Sequence, residues 1–90
     1  MNKKLTVRLY SRRVKLLPEE IIVPENFKYP NLDRVSRHIE KYEKNKSLDP
    51  IIVDENDVLI DGYCSLIVAT IVRMDEVEVY KIKANMRIGN

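Results

Sequence analysis

The apolar positions of the chain change period several times, and each change marks an element. Leu5, Val7 and Leu9 alternate with Thr6, Arg8 and Tyr10. A period of two predicts a half-buried strand. Residues 11–20, SRRVKLLPEE, read as a polar, basic connector with a short apolar patch. Residues 21–23 are a brief apolar strand, ended by Pro24. Pro30 disfavours helix at Tyr29, so a helix is expected to begin after it. Asn31 is a good N-cap, and Asp33 lies in the first turn, where the helix dipole favours an acid. Leu32, Val35, Ile39 and Tyr42 then recur at helical spacing and form one apolar stripe. Arg34, Arg37, His38, Lys41 and Lys44 lie mostly off it.

The second half is more apolar. Residues 51–53 and 58–60 are two short strands, and the polar residues 54–57 between them have hairpin length. Residues 63–73 are apolar on most faces, which predicts a buried helix. Ile67, Val68, Thr70, Ile71 and Val72 are β-branched and prefer strands, but length and flanking residues favour helix. Val77, Val79 and Ile82 mark a closing strand, and the tail ANMRIGN reads as frayed. Strand, strand, helix, hairpin, helix, strand is an α+β order.

Ninety residues predict a single domain over 1–90. A 44% hydrophobic share suffices for one modest core, and 33% charged residues with two Gly argue against disorder. No apolar run is long enough to span a membrane, and the start, MNKKLTVRLYSRR, has no signal-peptide core. One Cys excludes an internal disulfide and a Cys-based zinc site. A soluble cytoplasmic protein is expected.

Net charge is only +2, but its distribution is uneven. Residues 1–16 carry Lys3, Lys4, Arg8, Arg12, Arg13 and Lys15 with no acid. Residues 47–79 carry Asp49, Asp54, Glu55, Asp57, Asp61, Asp75, Glu76 and Glu78 against Arg73 alone. Such asymmetry points to a polyanion such as DNA. The candidate DNA contacts are Arg8, Arg12, Arg13, Arg34, Arg37, Lys41 and Lys44. The competing reading is a solvated helix face interleaved with Glu40 and Glu43.

Residues 60–72, IDGYCSLIVATIV, carry the one candidate ligand turn. Backbone N–H groups at a helix start are unpaired and partly positive, so they take phosphate oxygens. Gly lacks a Cβ and lets a ligand approach closely. Asp61, Gly62, Tyr63, Cys64 and Ser65 are therefore the phosphate-binding candidates. Each has a plainer alternative. Cys64 is either an activated thiol or a small buried filler. Ser65 either touches a phosphate or bonds backbone. Tyr63 either stacks on a base or packs at the sheet edge. His38, the only His, reads as a solvated surface residue. Asp54, Glu55 and Asp57 are spaced like carboxylate ligands, but turn chemistry accounts for them equally, so no metal site and no catalytic residue is assigned.

Two stretches, LDPIIV at 48–53 and IDGYCSLIVA at 60–69, together resemble the ParB N-terminal/sulfiredoxin-like superfamily. Leu48, Pro50, Ile51 and Val53 match an L-x-P-I-x-V box, and Asp61-Gly62 matches the turn that follows its hairpin. Ala69 matches an alanine of the buried helix, Val77-Glu78-Val79 stands at the closing strand, and IIVPEN at 21–26 is similar to the entry strand. The resemblance covers about 19–83, leaving 1–18 as a basic N-terminal strand and connector. It implies a small mixed sheet with two main helices. Members bind CTP, use ATP to repair over-oxidised peroxiredoxin, or are described as nucleases, so it also implies a nucleotide, with Mg²⁺, as the cofactor class. Members keep Arg or His shortly after the Gly; here Tyr63, Cys64, Ser65 and Leu66 follow it. The expectation is a non-catalytic, DNA-associated accessory or regulatory protein in a bacterial, plasmid or phage setting. A lone minimal domain would lack the helix-turn-helix of longer members, so DNA binding would be weak and salt-sensitive, or need a dimer. A nucleotide-binding enzyme (nuclease or phosphotransfer) and a protein-interaction module, including a homodimer through a strand edge, stand as alternatives.

Overall fold

The computed structural model describes residues 11–82. The strand expected around Leu5–Leu9, the candidate Arg8 and the tail after Ile82 lie outside the described residues.

Among the described residues, four strands form one mixed sheet: β1 (Ser11–Leu16), β2 (Ile52–Val53), β3 (Leu59–Asp61) and β4 (Val77–Ile82). Their order is β1-β4-β2-β3. β4 lies between β1, which it pairs antiparallel, and β2, which it pairs parallel; β2 and β3 form an antiparallel hairpin. Two helices complete the α+β fold, α1 (Leu32–Asn45) and α2 (Tyr63–Ile71). Among the described residues, no helix is long and apolar enough to cross a membrane.

Residues 11–20 are not a connector. They form β1 and a 3₁₀ turn at Pro18–Glu20. Val14 and Leu16 stand opposite Val79 and Val77, so two isolated apolar residues become a strand only because β4 lies beside them. In the 3₁₀ turn the Glu20 carboxylate accepts the Leu17 N–H at 2.8 Å. Residues 21–23 make less strand than expected. Ile22 forms a single parallel bridge to Val58, donating its N–H to Asp57 O and accepting from Leu59 N–H. Pro24, which has no N–H, ends the pairing there.

Asn31 caps α1 as expected, its Oδ1 accepting the Arg34 N–H at 2.8 Å. Lys46, in the left-handed conformation with φ 57°, ends the helix. Val35 is buried, and Ile39 and Tyr42 are half-buried. Leu32 departs from the expected stripe and is 80% exposed. It is the first helical residue, and its Cα–Cβ bond leans toward the helix start, past the packed turns.

α2 is two residues shorter than its apolar run. Arg73, at φ 60°, turns the chain, donating its N–H to Thr70 O, while the Met74 N–H reaches Ala69 O at 2.9 Å. These two bonds satisfy the last carbonyls of the helix. Residues 64–69 are all buried, and burial overrides the β-branched preference of Ile67 and Val68. Leu66 and Ala69 pack on Ile21, Ile51, Val53, Leu59, Val77 and Val79 in the main core. Ile52 and Ile82 form a smaller cluster with Ile60 and Tyr80.

β3 begins at Leu59, one residue later than the expected strand start at Val58, which instead makes the isolated bridge to Ile22. Asp54 explains its turn: buried Oδ1 accepts the N–H groups of Asn56 and Val58 at 2.8 and 3.0 Å. Asp57 lies 2.8 Å from Lys81 Nζ, tying the hairpin to β4.

Candidate functional site

The site begins with the turn between β3 and α2. Gly62 adopts φ 93°, a conformation that side chains other than Gly rarely take. A Cβ there would stand 2.4 Å from Pro50 O and 2.8 Å from Ile51 Cα. The missing side chain thus serves a contact within the protein, seating the Asp-Gly turn on the Pro50-Ile51 backbone. The two sequence boxes meet at this point. Asp61 Oδ1 accepts the Gly62 N–H at 2.9 Å. The first helical bond runs from Leu66 N–H to Gly62 O, and no side chain caps α2. The first-turn N–H groups of Tyr63, Cys64 and Ser65 therefore have no partner within the helix.

An open cleft of about 320 Å³ lies at this helix start, lined by Asp61–Ser65. Tyr63 does not plug it. Its ring stands edge-on to Phe27 at 5.8 Å and to Tyr29 at 6.0 Å, which holds it to one side. Cys64 and Ser65 are buried at 8% and 2% exposure, so each meets the cleft with little of its surface.

The opposite wall supplies what the turn lacks. Lys28 enters from the loop before α1, and Arg34 and His38 enter from α1 itself, one turn apart. His38 is accordingly no solvated surface residue: its side chain is 26% exposed, with Nδ1 3.8 Å from Asp49 Oδ2. The reason is tertiary, since α1 packs against α2 and turns this side of the helix toward the Gly62 turn. Asp49 also lines the cleft, and its Oδ1 takes Lys41 Nζ at 2.8 Å. Of the two carboxylates in the wall, one is thus paired with a cation and the other bonds the Gly62 N–H. Lys28, Arg34 and His38 face the cleft with an uncapped helix start behind it.

The expected basic face divides. Arg34 belongs to the cleft, Lys41 is paired with Asp49, and Arg37 and Lys44 are exposed on α1. Arg12 and Arg13 are elsewhere, on β1, which pairs with β4. As successive strand residues they face opposite sides of the sheet, and Arg13 stands 3.5 Å from Glu78. Lys28 and His38 are the site residues that sequence reasoning passed over. The four-residue spacing of Arg34 and His38 was visible as a shared helix face, but not what that face opposes.

No family model matches the sequence, and no curated protein matches it. Solved structures do. The chain is similar to the C2221 crystal form of a pNOB8-like ParB N-domain, with 25% identity and a TM-score of 0.67. That match covers 79% of this chain and 29% of the other. A second pNOB8-like ParB N-domain structure shows 27% identity and a TM-score of 0.66, covering 81% of this chain and 28% of that one. The fold is that of a ParB N-domain. The chain spans less than a third of the length of these ParB-like structures.

Proposed function

We propose that this chain is a ParB-like accessory module, a single domain, whose cleft binds a phosphate-bearing ligand of the nucleotide class. One observation carries the reading: Lys28 and Arg34 line the same cleft as the uncapped start of α2. Unpaired amides and a helix dipole favour an anion, and an Arg fork adds charge-assisted bonds to phosphate oxygens. Side chains from the other wall thereby stand in for basic residues absent after Gly62. The reading is of binding, not catalysis, because Tyr63, Cys64 and Ser65 occupy the positions that follow the turn. In this reading Asp61 holds the turn, and any Mg²⁺ arrives with the nucleotide. It sets the protein in the cytoplasm of a bacterial, plasmid or phage system, in association with DNA.

Titration with CTP, ATP and Mg²⁺, followed by backbone amide shifts, tests the cleft. Shifts are expected at Gly62–Leu66, and either Lys28→Gln or Arg34→Gln alone should weaken binding on the order of tenfold, one lost charge-assisted contact being about 1.5 kcal/mol. No shift at these amides with any nucleotide sinks the reading. A DNA contact has separate support in exposed Arg37 and Lys44. It predicts duplex binding that weakens with salt and falls in the Arg37→Gln/Lys44→Gln variant. Salt-independent binding, or none, removes that part.

A further inference from the structure

We infer that His38 is the third cation of the cleft and that its proton sets the cleft's affinity for anions. The inference rests on the anion-binding reading of the cleft and adds a regulator to it. His38 sits one helical turn from Arg34, and it borders both the cleft and a narrow seam with Tyr42, Leu48 and Ser65. The imidazole is therefore held between α1, the loop that carries Asp49, and α2.

The charged neighbours decide the sign. On α1 these are Arg34 and Lys41, and on the facing loop Asp49, whose Oδ1 Lys41 already holds at 2.8 Å. Lys28 faces the cleft from the loop before α1, and Asp61, Tyr63 and Cys64 face it from the turn and α2. Carboxylates ordinarily ionise well below pH 6, whereas thiols, phenols, Lys and Arg ionise above pH 8. Imidazole is the side chain that ordinarily changes charge between these limits. With His38 neutral, Lys41 stays on Asp49 Oδ1 at 2.8 Å, and Lys28 and Arg34 are the cations that face a ligand. With His38 protonated, the imidazolium adds a positive charge to the same wall, 3.8 Å from Asp49 Oδ2. A bound anion and the His38 proton each favour the other, since the coupling of two sites is reciprocal.

The test uses sulfate, whose charge is constant between pH 6 and 8, at fixed ionic strength. Binding is read from the Tyr63, Cys64 and Ser65 amides. The chain has one His, so a single imidazole signal reports the proton. Affinity should rise on the order of fivefold from pH 8 to pH 6, the effect of one added charge near a surface site. In His38→Gln the two pH values should give equal affinities, and in His38→Lys both should match the tighter wild-type value. Wild-type binding that ignores pH, or a dependence that survives in His38→Gln, overturns the role of His38 and leaves the anion cleft standing. Absence of sulfate binding at both pH values overturns both.

Discussion

The two helices face each other across one cleft and share almost no chemistry. α2 buries residues 64–69 and has no charged side chain. α1 buries only Val35 and is charged over most of its surface. α2 contributes its backbone: a helix start opened by Gly62, held against Pro50 and Ile51. α1 contributes side chains: Arg34 and His38, carried into place by Val35 and the half-buried Ile39 and Tyr42. The lesson is a division of labour. A buried helix can present amides to a ligand but not long charged side chains, which need solvent around their heads. A half-exposed helix can.

The comparison is broken most severely at the frame. Gly62→Ala should lose roughly 3 kcal/mol in urea unfolding, because the added Cβ meets Pro50 O and the backbone is left-handed. A loss under about 1 kcal/mol would mean that the turn can relax away from Pro50. Leu66→Ala on α2 should cost nearly as much, about 3 kcal/mol, whereas Leu32→Ser on α1 should stay within about 0.5 kcal/mol. Equal costs would erase the contrast between the helices.

Smaller changes sharpen it. Asn31→Ala removes the side-chain acceptor of the Arg34 N–H and should cost about 1 kcal/mol. Because Arg34 sits in that first turn, nucleotide affinity should fall with stability in this variant, although no residue of the cleft has changed. Retained affinity would show that Arg34 is positioned by packing and not by the cap. Arg73→Gly, at the far end of α2, should stabilise by about 0.5 kcal/mol by relieving a left-handed non-Gly residue. It should leave the cleft amides unshifted, and any movement there would couple the two ends of α2.

Both helices and the hairpin were legible in the sequence because their signals are local. Asn31 after Pro30, an i, i+3, i+4 stripe, and a polar Asp54–Asp57 turn each act within a few residues. β1 was not legible. Val14 and Leu16 are too few to mark a strand, and only pairing with Val79 and Val77 makes them one. The short apolar segment at 21–23 erred the other way, since Pro24 leaves room for one bridge. The Asp-Gly turn was found, but not the close contact of its glycine with Pro50 and Ile51. A positive φ and a tight approach leave the same mark in sequence whichever neighbour requires them.

The sequence by itself determined the ParB-like frame: the LDPIIV box, the Asp-Gly turn and an apolar run that can only be a buried spine. It also determined what is missing from the turn, since Cys64 and Ser65 follow Tyr63 and bring no cation. Only the tertiary structure decided where cations come from instead. Lys28, Arg34 and His38 lie more than twenty residues before Gly62, on a loop and a helix whose surface pattern reads as ordinary solvated charge. Periodicity tells which side of a helix is apolar and therefore inward. It does not tell which cleft the polar edge of that side will border, because that depends on how α1 is laid against α2, and the packing is set by contacts between residues distant along the chain.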